Sequence, residues 1–347
     1  MTDLLKFMMN RLGFFLISAI FVFSCSPEGS KLVRNGSAGG ALGTSYSIIY
    51  LSKEEQDFQK EIDSVFDAVN KSLSTYLPDS DISKINGGDT TVVVDKMFKE
   101  VFELSKKVYR NTDGYFDPTV GVLVNAWGFG PSPSMKMDST AVDSLLTLVG
   151  FEKVNLTKSN RIKKTDSNIY LDFNAIAKGY AIDRLAVFLD EKEISDYLIE
   201  VGGELVGKGE NRIKGKPWVV GIDDPQIEEG RRLKILMQLK DRALASSGNY
   251  RKFRIDSVTG KKYVHTIDPK SGFTKNGNTL GTTVLANTCG EADAYATAFM
   301  AMDLQDVLHF LDTTHELDAY IVYLNETGEA QEFMTPGFKD LVLDPNG

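Results

Sequence analysis

Cysteine, histidine and long apolar runs are scarce in this chain of 347 residues. It has two cysteines and three histidines, with no Cys-x-x-Cys pair and no histidine-rich tract, which argues against the common zinc sites. Long basic runs are also missing and the net charge is −9. Because contact with phosphate backbones needs clustered Lys and Arg, nucleic acid is excluded as a partner. Internal repeats are not evident, which argues against a solenoid.

The apolar run Leu12 to Phe23 is too short to cross a hydrocarbon layer of roughly 30 Å as a helix. Lys6 and Arg11 precede it, an order typical of a signal peptide. The run stops at a small residue followed by Cys25, which resembles the bacterial lipoprotein signal, with Cys25 as the lipidated first residue. An ordinary cleaved signal or an uncleaved anchor, with an incidental cysteine, are the alternatives.

The predicted organisation is a signal peptide (1–24), a flexible tether that begins at Cys25 (25–40) and one domain (41–340). Ser, Gly and Pro dominate the start of the tether, and no such linker divides the rest of the chain. A lipidated first residue before a soluble body predicts a protein anchored to a membrane on its extracytoplasmic side, in the cell envelope.

Helical and strand patterns alternate without a βαβ rhythm, which predicts an α+β domain of mixed sheets and helices. Ser52 and Glu55 form a capping box that predicts the start of a helix, whose apolar stripe would be Phe58, Ile62, Phe66, Val69 and Leu73. The next helices are predicted around 96–110, with the apolar stripe Phe98, Val101, Phe102 and Val108, around 139–149 and after Asn174. Strands are predicted at 44–50, 197–201, 218–222, 233–239 and 319–324.

Asp293 and Thr297 are four residues apart, so a helix would place them on one face. A carboxylate and a hydroxyl are hard oxygen ligands, which suit Mg²⁺. The alternative is an Asp favoured by the helix dipole and a Thr bonded to its own helix.

Residues 170–184 place a strand end before a helix start, where free backbone amides favour an anionic phosphate. Asp172 is a candidate acceptor for a ribose or base, and Lys178 is a candidate partner for phosphate. Two glycine-hydroxyl loops, at 200–204 and 245–251, would let backbone approach a ligand. Ordinary surface turns are the alternative for each segment.

Tyr76 and Trp127 lie beside polar turns and offer flat faces that could stack on a flavin or adenine ring. The alternative for each is an aromatic residue of the core, which is the more common role of an aromatic beside a turn. His265, before an Asp-Pro-Lys-Ser-Gly turn, is the histidine in a motif and the candidate base. His309 and His315 are interpreted as structural.

Taken in order, these segments resemble the ApbE family of FAD:protein FMN transferases. The resemblance covers about residues 42 to 300, and its stretches are 43–46, 74–86, 114–130, 172–179, 201–203, 246–250, 265–272 and 292–297. Ala175, Asn249 and Leu42 depart from the residues common in the family at those places.

The resemblance implies an ApbE-like (T-fold-like) catalytic domain that binds FAD and Mg²⁺. It implies transfer of the FMN moiety to a Ser or Thr hydroxyl of a target protein through a phosphoester, with release of AMP. The expected targets are flavin-accepting subunits of membrane redox complexes. By position, His265 would be the general base, and Asp293, Thr297 and the main-chain carbonyl of Ala175 would bind the metal. The residues expected to line FAD are Leu42, Tyr76, Asp117, Thr119, Val120, Asp172, Lys178, Ser247, Thr266 and Ile267.

Two other functions stay open at this point. A metal-dependent FAD pyrophosphatase would use the same site with water as the acceptor, and sequence does not separate it from a transferase. A lipid-tethered FAD-binding protein without turnover is the non-enzymatic alternative.

Overall fold

The computed structural model describes residues 32–227, 232–249, 253–255, 262–275 and 277–344, with backbone alone for 253–255, 262 and 263. The predicted signal peptide, Cys25 and the first part of the tether lie outside these residues. The prediction that residues 33–40 belong to a flexible tether is wrong, because Val33–Ala41 is a strand paired along its whole length. Its small residues carry a weak strand signal, and pairing with the next strand overrides that weakness.

The described part of the chain contains fourteen strands and nine α-helices. The strands are β1 (Val33–Ala41), β2 (Thr44–Ser52), β3 (Val154–Leu156), β4 (Ile162–Lys164), β5 (Asp196–Val201), β6 (Glu204–Lys208), β7 (Trp218–Asp223), β8 (Leu233–Leu239), β9 (Arg242–Gly248), β10 (Phe253–Ile255), β11 (Lys262–Val264), β12 (Thr279–Ala286), β13 (Asp318–Leu324) and β14 (Ala330–Met334). The helices are α1 (Gln59–Leu73), α2 (Asp81–Asn86), α3 (Lys96–Asn111), α4 (Gly121–Ala126), α5 (Ser139–Leu146), α6 (Ala177–Glu191), α7 (Cys289–Ala301), α8 (Leu304–Thr313) and α9 (Pro336–Lys339).

Eight strands form one sheet in the order β1-β2-β5-β6-β9-β12-β13-β14, and each neighbouring pair is antiparallel. Alternation sets the two faces of β2, where Tyr46, Ile48 and Tyr50 are buried on one side. The shorter pairs β3–β4, β7–β8 and β10–β11 are separate hairpin-like sheets.

Helices cover one face of the large sheet. α6 and α7 pack directly on its central strands, α1 packs against α6, and α3 packs against α7. The apolar stripes predicted for α1 and α3 are confirmed, and Phe98, Val101 and Phe102 of α3 are fully buried. Full burial of such side chains contributes about 1.5–3 kcal/mol each.

The β7–β8 hairpin covers the opposite face. Val220, Ile222 and Met237 of the hairpin pack against a second apolar cluster that includes Leu244 and Tyr320 of the sheet. The large sheet is therefore buried on both sides around its central strands, which confirms the predicted α+β class. Among the described residues no helix has the length and apolarity that crossing a membrane would require.

Two local predictions are wrong. Ser52 belongs to β2, and α1 begins at Gln59, so the predicted capping box does not start a helix. The glycine-hydroxyl loop predicted at 245–251 is in large part strand β9. Its Ala243 and Ala245 are small because they lie in the core on the helix-covered face, and small residues carry no strand pattern.

Candidate active site

The N-terminal turns of α6 and α7 meet at the centre of the molecule. A Cβ on Gly179 would lie 2.3 Å from the carbonyl oxygen of Cys289, so only glycine permits this approach. Each helix then caps the other. Asp183 of α6 accepts hydrogen bonds from the backbone amides of Cys289 (2.7 Å) and Gly290 (2.8 Å), and Asp293 of α7 accepts one from Gly179 (3.1 Å). Two positive helix ends therefore face one small region.

The predicted metal ligands Asp293 and Thr297 lie one turn apart on α7, as expected. Asp293 is buried, and Thr297 is partly exposed with its hydroxyl 3.4 Å from the hydroxyl of Ser247. The Gly179 amide lies in the first turn of α6, where a backbone amide has no acceptor within the helix, and it donates to Asp293 instead. Ala175 lies two residues before the start of this helix.

The oxygen atoms of Asp293, Thr297 and the Ala175 main chain are of the kind that binds a magnesium ion. One carboxylate, one hydroxyl and one main-chain carbonyl are all hard oxygen ligands, and Mg²⁺ takes few protein ligands because it keeps waters and phosphate oxygens. Within the described ranges, no group of three or more His, Cys, Asp or Glu side chains is arranged to hold a metal.

Lys178 lies between two buried carboxylates. Its ammonium is 2.7 Å from Oε1 of Glu204 and 3.7 Å from Oδ2 of Asp293. Burial lowers the pKa of Lys178, but the charges of Asp293 and Glu204 outweigh burial and raise it overall. Burial also raises the pKa of Asp293, and the charge of Lys178 opposes that rise. The cluster holds two acids and one base, so a further cation is favoured there.

The turns of β1–β2 and β5–β6 lie side by side next to this cluster. Leu42 has φ +51° and Gly43 has φ +75°, the left-handed pair that a tight hairpin turn requires. The amide of Gly202 donates to the carbonyl of Ser45 (3.0 Å), and a Cβ on Gly202 would lie 2.8 Å from Thr44. The predicted Leu42 position is thereby placed beside the glycine turn that leads to Glu204.

Tyr76 and Asp172 flank the approach to α6. Tyr76 is 59% exposed, so its ring face is available, and burial of its hydroxyl together with the charge of Asp172 raises its pKa. Asp172 accepts from the amide of Asn174 (2.7 Å), and Asn174 in turn donates to the hydroxyl of Thr75 (3.2 Å). Burial raises the pKa of Asp172.

In the turn 117–120, the side chains of Asp117 and Thr119 form hydrogen bonds with each other and with nearby main chain. Asp117 accepts from the amide and hydroxyl of Thr119 (2.8 and 2.6 Å) and from the amide of Phe151 (3.2 Å). Thr119 also accepts from the amide of Gly150 (2.7 Å). Burial raises the pKa of Asp117 to about 6 in spite of these bonds. A ligand at this turn would therefore meet main chain and the partly exposed Val120 rather than these two side chains.

The segment that carries His265 is fixed at several points. Thr266 donates to Asn249 (2.7 Å), two residues after Ser247, and this bond ties His265 to the strand that touches Thr297. Ile267 is buried in a cluster around α4, and the ring of Phe129 lies 6.5 Å from the ring of His265.

The interpretation of Trp127 as a stacking face for a flavin is wrong. Trp127 is only 3% exposed, and its indole N–H donates to the carbonyl of Gly272 (2.9 Å). It fastens the His265 segment to the end of α4. The neighbouring apolar residues Leu123 and Val142 bury the ring.

No local sequence pattern predicted a role for Glu204, for Asp183 or for the close approach of the two helices at Gly179. Glu204 follows two glycines at a strand start, and Asp183 lies four residues after Gly179 on the same helix, but neither pattern marks a site by itself. Only the meeting of α6, α7 and β6 brings them together.

The fold defines a class of protein, because it matches the fold of solved flavin transferases. The structure superposes on the flavin transferase ApbE from Vibrio cholerae with a TM-score of 0.78 and 29% identity, covering 90% of this chain and 100% of that one.

Sequence relatives point to the same class. The chain is 31% identical to an FAD:protein FMN transferase of Haemophilus influenzae over 89% of this chain and 91% of that protein. It is 33% identical to an FAD:protein FMN transferase of Vibrio cholerae over 83% of this chain and 86% of that protein. The ApbE family model matches residues 42–321, and the chain belongs to the ApbE family.

Proposed function

We propose that this protein is a magnesium-dependent FAD:protein FMN transferase, which attaches the FMN moiety of FAD to a Ser or Thr hydroxyl of a target protein. The observation that carries the proposal is the cluster of Asp293, Lys178 and the first turn of α6, in a chain of the ApbE family. It combines oxygen ligands for a metal with positive groups for a pyrophosphate.

The transfer is a displacement at phosphorus. The target hydroxyl oxygen forms a bond to the FMN phosphorus, the bond from that phosphorus to the bridging oxygen of FAD breaks, and AMP leaves with that oxygen. A bound Mg²⁺ supplies charge neutralisation at the pyrophosphate. Asp293, Thr297 and the Ala175 carbonyl would hold it, while Lys178 and the α6 amides favour the negative phosphate.

His265 takes the proton of the incoming hydroxyl. The segment that carries His265 is fixed by the Thr266–Asn249 and Trp127–Gly272 hydrogen bonds. The imidazole ring is therefore positioned before the acceptor hydroxyl arrives. The nearby ring of Phe129 offers an apolar surface that helps to exclude water, which favours an alcohol as acceptor.

The same proposal places FAD along the elements around the cluster. Tyr76 offers its exposed ring for stacking, Leu42 and Val120 present their turns, and Asp172 accepts from ribose or base. Main chain of Thr266 and Ile267, together with the hydroxyl of Ser247, completes the lining. The side chains of Asp117 and Thr119 contribute by holding their turn.

The N-terminal pattern supports a location for this activity. Lys6, Arg11 and the apolar run before Cys25 favour a lipoprotein, anchored to a membrane on the extracytoplasmic side of the cell envelope. A flavin transferase in that place would meet flavin-accepting subunits of membrane redox complexes, which we propose as its targets.

Mass spectrometry tests the function directly. Purified protein, FAD and Mg²⁺ are incubated with candidate acceptor subunits, and covalent FMN on a Ser or Thr peptide is the expected product. The His265→Ala variant is expected to keep FAD binding and lose transfer, while the exposed His309→Ala control keeps both. FMN and AMP formed at the full rate without any acceptor would point to a pyrophosphatase instead. FAD binding without turnover in wild type would point to a binding protein.

A further inference from the structure

Glu204 is a buried acid, and only one of its two carboxylate oxygens has a hydrogen-bond partner among the described residues. Its side chain is 6% exposed, and Oε1 lies 2.7 Å from the ammonium of Lys178. Oε2 is buried and has no hydrogen-bond partner among the described residues. The glycine turn leaves room beside this oxygen, because a Cβ on Gly202 would lie 3.4 Å from it.

Within the described residues, the ammonium of Lys178 is the one hydrogen-bond partner of the Glu204 carboxylate. A buried carboxylate is normally satisfied by several donors, and one that is not acts on the nearest cation. That cation is Lys178, which stands 2.7 Å from Glu204 and 3.7 Å from Asp293. The ammonium of Lys178 therefore lies closer to the Glu204 carboxylate than to the Asp293 carboxylate.

Resting on the proposed function, we infer that Glu204 is a positioning residue that restrains Lys178 and so keeps the Asp293 carboxylate open to the metal. Both contacts of Asp293, from Lys178 and from the Gly179 amide, fall on Oδ2. With the Glu204 charge removed, Lys178 is free to close on Asp293 and to compete with a divalent cation for it.

The charge count of the cluster points the same way. Asp293 and Glu204 are two acids against one base, Lys178, so a divalent cation bound there would stabilise the negative form of the carboxylates. Replacing Glu204 by an amide of the same shape balances Asp293 against Lys178 and weakens the attraction for a divalent cation. Partners of metal ligands typically change metal affinity by about 10- to 100-fold when they are replaced.

The test is the affinity of the full chain for Mn²⁺ alone, measured by electron paramagnetic resonance without FAD, so that turnover plays no part. Glu204→Gln is expected to weaken Mn²⁺ binding by about tenfold or more. Lys178→Met, which removes the competing ammonium, is expected to bind Mn²⁺ at least as tightly as wild type. The double variant is expected to bind more tightly than Glu204→Gln alone.

Glu210→Gln is the matched control, because it makes the same chemical change at a partly exposed acid, paired with Lys240, two residues beyond the end of β6. It is expected to bind Mn²⁺ like wild type. The inference is overturned if Glu204→Gln also binds like wild type, or if the double variant binds as weakly as Glu204→Gln, since Glu204 would then not act through Lys178.

Asp293→Asn separates this inference from the proposed function. Loss of Mn²⁺ binding in Asp293→Asn with normal binding in Glu204→Gln would refute only the role of Glu204. Normal binding in Asp293→Asn would refute the metal site itself. Circular dichroism checks the fold of each variant. Should Glu204→Gln not fold, weaker binding by Lys178→Met than by wild type would overturn the inference.

Discussion

The carboxylate of Asp293 on α7 accepts a hydrogen bond from the backbone amide of Gly179 in the first turn of α6, at 3.1 Å. A main-chain donor of one helix thus fixes the acid that the other helix supplies. Because the amide belongs to rigid backbone, the acid is positioned before any ligand arrives.

Gly179→Ala tests whether this contact depends on the absence of a side chain. The added Cβ would lie 2.3 Å from the carbonyl oxygen of Cys289, which is backbone and cannot turn aside. The helices must separate, and we expect a loss of about 1–3 kcal/mol in the free energy of unfolding. Urea denaturation measures it. Gly40→Ala is the control, since its Cβ would meet nothing closer than 3.7 Å. An unchanged unfolding free energy in Gly179→Ala would contradict the tight approach.

Removal of divalent metal tests the magnesium assignment. Chelation is expected to stop AMP release from FAD, and added Mg²⁺ or Mn²⁺ is expected to restore it, because Asp293 and Thr297 offer hard oxygen ligands. Zn²⁺ is expected to restore it poorly, since the proposed ligands are a carboxylate, a hydroxyl and a main-chain carbonyl rather than the sulfur and nitrogen atoms that zinc prefers. AMP release measured by chromatography decides the point, and full activity in excess chelator would contradict it.

The buried acid Asp117 predicts a pH dependence of stability. Burial raises its pKa in the folded chain from 3.8 to about 6. Between these values the folded chain binds a proton that the unfolded chain does not, so the free energy of unfolding rises as pH falls. The gain is at most about 3 kcal/mol and is complete below the unfolded value.

Asp117→Asn is expected to remove this part of the pH dependence. Urea denaturation between about pH 4 and about pH 7 should give a difference between wild type and variant that changes over this interval. A constant difference over the whole range would show that Asp117 has an ordinary pKa.

Trp127→Phe tests the fastening of the His265 segment. The variant keeps an aromatic ring but loses the bond from the indole to the Gly272 carbonyl at 2.9 Å. We expect a loss of about 1 kcal/mol in stability, because the buried carbonyl is left without its donor. Transfer should show a lower kcat with little change in the KM for FAD. An altered KM with normal kcat would place Trp127 at the nucleotide instead.

Much of the fold could be predicted from local patterns. The apolar stripes of α1 and α3 and the span of β8 are confirmed, because amphipathic periodicity reports burial directly. The strands β1 and β9 could not be predicted, since their small residues are dictated by neighbours: β9 lies under α7, and β1 pairs with β2. Tertiary contact, not propensity, makes them strands.

The candidate site also has one part that local sequence patterns predict and one part that they do not. The spacing of Asp293 and Thr297 indicates a shared helix face, and the structure confirms that geometry. The partnership of Glu204 with Lys178 joins residues 26 positions apart in the chain, and no local pattern reports it. Of the two interpretations of Trp127, the stacking face is wrong and the core residue is correct, because the side chain is buried.

The most direct measurement of the central claim is the ratio of AMP released to FMN bound covalently, followed in one reaction with FAD, Mg²⁺ and an acceptor subunit. If a hydroxyl deprotonated by His265 displaces AMP, AMP and covalently bound FMN appear in equal amounts, and neither forms in the His265→Ala variant. AMP that accumulates together with free FMN, and without covalent product, would contradict it.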